Sequence, residues 1–128
     1  MLDVKKLLTK ICDALKIDYL TTQTTSGNWR YRIWKSGHFE AWWSGNVTLA
    51  ITTASGGVYF SSGQTTALPS IGVQSIYFAA CTYAGNEGNW GKINNESTTA
   101  IGWGLVSSSS RASASRLVQL YVRGYCNS

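Results

Sequence analysis

Between residues 41 and 86 the chain carries no Asp, Glu, Lys or Arg, while Val, Ile, Leu, Thr and aromatic residues recur throughout. A free β-domain normally guards its exposed edges and faces with charge, lysine above all. An uncharged stretch of strand formers this long would be an aggregation hazard on a lone monomer. It is tolerable where much of it lies inside an oligomer and Ser, Thr, Gly and Asn cover the remainder. This single feature points to a β-rich chain that associates with copies of itself.

The residues on either side support the β reading. Trp29, Tyr31 and Ile33 alternate with Arg30 and Arg32, the period-two signature of a half-buried strand. Lys35-Ser36-Gly37-His38 reads as a turn, after which Phe39, Ala41 and Trp43 share one face. Val47, Leu49 and Ile51 form a third strand, and Ser55-Gly56-Gly57 turns the chain into Val58-Tyr59-Phe60. Pro69 marks a loop or edge before a strand over 73–82. The segment 85–96 reads as a loop, and strands follow over 98–106 and 113–125, the last with Arg116, Val118, Leu120 and Val122 on one face. Short strands punctuated by turns predict an all-β sandwich or barrel-like domain.

Residues 2–17 follow a different period. Val4, Leu8, Ile11 and Leu15 recur at 4-3-4 spacing, with Leu7 widening the stripe, and so predict a short helix with a coiled-coil seam. Two heptads are marginal alone in water. The helix must dock on its own domain or bundle with copies, and its place before the polar run 21–27 favours the bundle. The expected organisation is an oligomerisation helix over 1–18, a linker over 19–27 and a β-domain over 28–128. A homotrimer is the preferred order. No apolar run approaches the roughly 20 residues of a membrane span. Met1-Leu2-Asp3-Val4-Lys5-Lys6 runs into the amphipathic pattern without a signal-peptide cleavage site.

The net charge of +5 is dispersed, with no block of like charge and no nucleic-acid motif. Nucleic acid is therefore not an expected partner, although Trp29-Arg30-Tyr31-Arg32 could offer a stacking platform. Cys12, Cys81 and Cys126 match no zinc or redox spacing. They are expected as free buried thiols, with an interchain bridge at Cys12 or Cys126 as the alternative. No metal or cofactor is expected.

Catalytic residue types are sparse. His38 sits on a predicted turn, Glu40 is expected to face Arg30 or Arg32 across a strand pair, and Glu87 and Glu96 could form a glycosidase pair only if a fold brought them together. No nucleophile elbow or phosphate loop is present. Binding residues are richer, with six Trp and seven Tyr. Adjacent Trp42 and Trp43 must point to opposite faces of a strand, so one of them lies on a surface or interface. Trp90, amid Asn86, Asn89, Asn94 and Asn95, either stacks on a sugar whose hydroxyls the amides bond or anchors its loop to the sheet. The candidate ligand-binding set is Trp90, Asn86, Asn89, Trp42 and Tyr83; the candidate oligomerisation set is Val4, Leu8, Ile11 and Leu15.

The stretch 25–43, with Ser26-Gly27-Asn28-Trp29-Arg30-Tyr31-Arg32-Ile33-Trp34-Lys35-Ser36-Gly37 at its centre, resembles a strand-turn-strand segment of phage and prophage tail or fibre proteins from Gram-positive and gut bacteria. The resemblance implies a C-terminal, trimeric β-structure of a virion, assembled in the host bacterial cytoplasm and used for attachment. It assigns no ligand role to any residue. The expected partners are the chain itself, other virion proteins and a bacterial surface glycan, without membrane insertion. The alternatives are a bacterial carbohydrate-binding or adhesion module and a small cell-wall hydrolase.

Overall fold

A computed structural model describes residues 3–127; Leu2, included in the expected helix, lies outside them. Helix α1 spans Val4–Leu15. Asp3 caps it, its carboxylate accepting the Lys6 backbone N–H at 3.1 Å. It closes at Lys16 in the left-handed conformation, and the Ile17 N–H bonds the Cys12 carbonyl. No residue of α1 is buried. Its base is tethered by Asp18, which accepts both the backbone N–H and the hydroxyl of Ser36 at 2.9 and 2.7 Å.

Nine strands follow: β1 Leu20–Ser26, β2 Trp29–Trp34, β3 His38–Ser55, β4 Val58–Ser61, β5 Gln64–Ala67, β6 Val73–Tyr83, β7 Asn89–Glu96, β8 Ala100–Ser107 and β9 Arg111–Cys126. They form one antiparallel sheet. The path β1-β2-β3-β4-β8-β5 is extended by β9, which lies between β3 and β6, and by β7, which pairs with the other edge of β8. Where β6 and β7 meet, Gly91 lies against the Cys81 backbone so closely that a Cβ there would overlap the Cys81 carbonyl. The sheet therefore curls until its ends touch. The expectation of a β-domain behind one N-terminal helix holds at this level.

Three local expectations change. The run expected as a linker contains β1, paired with β2 along Ser26↔Trp29 to Leu20↔Trp34. All seven β1 residues are exposed, so backbone hydrogen bonds rather than apolar alternation define the strand. The strands expected around Phe39–Trp43 and Val47–Ile51 are one 18-residue strand. Gly45 lies inside it: an added Cβ would strike the Trp43 ring, so the missing side chain makes room for the indole. The supposed loop 85–96 contains β7, paired with β8 from Asn89↔Ser107 to Glu96↔Ile101. By contrast, the Gly56-Gly57 turn is found where expected, with φ values of 60° and 86° that suit a two-residue type I′ hairpin.

The core follows the predicted alternation. Phe39, Ala41, Leu49 and Ile51 of β3, Val118, Leu120 and Val122 of β9, and Ile101, Trp103 and Leu105 of β8 are buried together with Trp29 and Leu68. Register irregularities add local twist here: β9 carries an extra residue opposite 49–51, and β3 carries one opposite β4 at 51–53. Indole N–H groups are satisfied: Trp29 donates to the Ala67 carbonyl at 2.8 Å and Trp103 to the Thr66 hydroxyl at 2.9 Å. No helix among the described residues is long and apolar enough to cross a membrane.

Candidate functional site

Inward burial of Trp29, Phe39, Ala41 and Val122 forces their neighbours outward, because side chains alternate along a strand. The ladder register then sets those neighbours in rows across β2, β3, β9 and β6. One row is Arg30, Trp42, Tyr121 and Ala80; on one side of it Ser44, Gln119 and Thr82 align, and on the other Arg32, Glu40, Arg123 and Phe78. Small Ala80, Ser44 and Thr82 beside large Trp42 and Tyr121 leave a groove of about 440 Å³, with Asn28 and Arg30 on its wall.

Electrostatics order this face. Arg32 pairs with Glu40 at 3.2 Å, as the strand-pair expectation held. The Tyr121 hydroxyl donates to the other Glu40 oxygen. Burial raises the Glu40 pKa, but the Tyr121 hydrogen bond and the Arg32 charge outweigh it and hold the carboxyl below its ordinary value. Burial and the same carboxylate push the Tyr121 phenol up to about 12, so it remains a donor at neutral pH. The guanidinium groups of Arg30 and Arg32 lie 5.3 and 5.2 Å from the Trp42 ring. Among the described residues Arg30 has no ion pair.

Farther along, His38 is surrounded by the rings of Trp34, Tyr77 and Tyr125, with centroids 5.1 to 5.8 Å away. Its Nε2 meets the Tyr77 hydroxyl. The ring is half-buried in an aromatic cluster rather than solvated on a turn, and among the described residues no carboxylate bonds it.

The sequence-derived ligand set is divided by the fold. Trp42 lines the groove. Tyr83 and Asn89 both donate to Glu87, at 3.2 and 3.0 Å, and Glu87 is itself held by Arg116 at 2.9 Å. Arg116 lies on the inward face of β9 and is only 4% exposed. Its remaining N–H groups reach the carbonyls of Leu49, Ala112 and Ala114. Glu87 thus completes the ligation of an interior cation, and its hydrogen bond from Arg116 lowers its pKa. Asn86 is exposed near this cluster. Trp90, 47% exposed, flanks buried Val106 in a row with Phe60.

Of the groove residues, the sequence-derived ligand set contains only Trp42; it missed Arg30 and Tyr121 as well as the polar Asn28, Ser44, Thr82 and Gln119. Period-two alternation marked Arg30 and Tyr121 as outward, but only long-range register places β9 between β3 and β6. Cys81 and Cys126 are buried free thiols, and burial pushes the Cys81 pKa up to about 11. Cys12 is only partly buried. No cluster of three or more metal-ligating side chains occurs among the described residues. The chain matches no protein-family model, no curated protein and no solved structure.

Proposed function

We propose that the chain is an oligomeric attachment module, a trimeric fibre or spike tip of the phage or prophage kind, which holds a bacterial surface glycan in the groove beside Trp42. The observation that carries this reading is the bare apolar stripe of α1. Val4, Leu7, Leu8, Ile11 and Leu15 are 41–64% exposed and meet no buried face of their own β-domain. Apolar side chains that stay exposed at heptad spacing suit a helical bundle between copies.

The groove supplies the attachment end. Aromatic rings beside amides and hydroxyls suit a hexose, whose C–H face packs on the rings while its hydroxyls bond Asn28, Ser44, Thr82 and Gln119. The ion-paired Glu87 and the distant position of Glu96 along β7 offer no acid–base pair, which favours binding over glycan cleavage.

Light scattering after size exclusion tests the oligomer. Three copies of the 13.9 kDa chain would weigh about 42 kDa. That mass supports the fibre reading. A stable single-chain mass overturns it and favours the second reading, a lone carbohydrate-binding module that uses the same groove.

A further inference from the structure

The groove beside Trp42 is not electrically neutral. Three arginines face outward on this side of the sheet: Arg30, Arg32 and Arg123. Arg32 is paired with Glu40. Arg123 stands opposite the same carboxylate in the register and lies 5.5 Å from the Tyr77 ring. Neither Arg30 nor Arg123 has an ion pair or a side-chain hydrogen bond among the described residues, but Arg123 is half-buried with its Nε shut off from solvent, whereas Arg30 is exposed and lines both the main groove and a smaller hollow of about 210 Å³ beside Trp42. Its guanidinium is exposed and stacked on the indole, which leaves its N–H edge free to donate.

We propose that this groove selects an anionic sugar, with Arg30 forming a two-point contact to a carboxylate or phosphate while Trp42 and Tyr121 pack on the ring. The inference rests on the glycan-binding reading and adds the charge of the ligand. Arg30 is the one cation among the groove's lining residues, beside neutral amides and hydroxyls, and so matches one negative charge per bound sugar unit. A continuous polyanion would need a track of exposed free cations, whereas on this face Arg32 is paired with Glu40 and Arg123 is half-buried opposite the same carboxylate. This arrangement favours an acidic glycan over single-stranded nucleic acid.

The test is calorimetric binding by the full chain. Its probes are oligogalacturonate, the same oligosaccharide with methyl-esterified carboxyls, glycerol-phosphate teichoic acid and an oligothymidylate. The expected result is binding of oligogalacturonate or teichoic acid at least tenfold tighter than the neutral ester. Which of the two binds identifies carboxylate or phosphate as the recognised group. Arg30→Gln should abolish that preference, and Arg30→Lys should keep part of it, because charge survives while the two-point geometry does not. Arg30 is exposed, so both variants should retain the wild-type melting temperature. Trp42→Ala should weaken every glycan equally.

Equal binding of acid and ester, unchanged by Arg30→Gln, overturns the anionic proposal and leaves glycan binding standing. Binding of no glycan overturns both. Tighter binding of oligothymidylate than of either acidic glycan overturns the proposal in favour of a nucleic-acid surface.

Discussion

At the residue scale, the most consequential side chain is the one that breaks the pattern of its strand. Arg116 shares a face with Val118, Leu120 and Val122, and alternation alone points it inward. Its tolerance there depends on acceptors that sequence spacing cannot reveal: Glu87, 29 residues away, and the Leu49 carbonyl, 67 away. The Glu40–Arg32 pair was legible because one hairpin brings the two together; the Glu87–Arg116 pair was not, because its closure crosses the sheet. Glu87→Gln removes the charge that balances an interior guanidinium and should lower the melting temperature by several degrees at pH 7. The pH dependence has a definite sign. With its folded-state pKa depressed, Glu87 contributes stability that is fully present above its ordinary value of 4.5 and is lost as pH falls through the lower folded value. Thermal melts from pH 7 to pH 2.5 should show the wild type losing more of its melting temperature below pH 4.5 than Glu87→Gln does. Glu40, depressed in the same direction, keeps some acid sensitivity in the variant. Parallel profiles would mean that the Glu87 carboxylate adds nothing to stability.

At the scale of elements, β1 and β7 were the hardest to read, and for different reasons. The residues of β1 are uniformly polar and exposed, so no alternation marks the strand, and only the Gly27-Asn28 turn hints at a hairpin. In β7 the sequence Asn-Trp-Gly-Lys-Ile-Asn-Asn-Glu has the composition of a loop. Its glycine serves a different purpose, since Gly91 is where the two ends of the curled sheet touch. The Cys81 carbonyl is backbone and cannot swing aside, so Gly91→Ala should cost roughly 3 kcal/mol, the upper part of the overpacking range. In a chain of this length that lowers the melting temperature by roughly 10 °C. Gly63→Ala is the matched control: its nearest neighbour is the Asn94 amide nitrogen at 3.5 Å, and it should melt close to wild type. If the two variants melt together, β6 and β7 do not hold the close contact on which the curl depends.

At the scale of the molecule, the separation between helix and sheet matters most. The buried core is assembled entirely from the β-domain and the 68–81 region, whereas α1 contributes none of it. Its heptad spacing was plain in the sequence, but whether its stripe docks on the sheet depends on the direction in which Asp18 and Ser36 anchor the helix base, which periodicity does not encode. The long uncharged segment likewise announced β-structure without specifying its neighbours; within it Tyr77 and Phe78 remain about half exposed on the outer face. If the copies are held together by their helices, association and folding can be separated by substitution. Replacing Leu8 and Ile11 with Asp places charge at the centre of the stripe, where burial in a bundle would carry a heavy desolvation cost. Because both positions are exposed within one chain, the β-domain should fold unimpaired. The double variant should therefore elute at the single-chain mass of 13.9 kDa with unchanged near-ultraviolet dichroism. The wild-type melting temperature should rise with protein concentration, as linkage to assembly requires, while that of the double variant stays constant. An oligomer that survives both substitutions would move the interface from the helices to the sheet, with the aromatic face around Phe78 and Tyr77 as the next surface to alter.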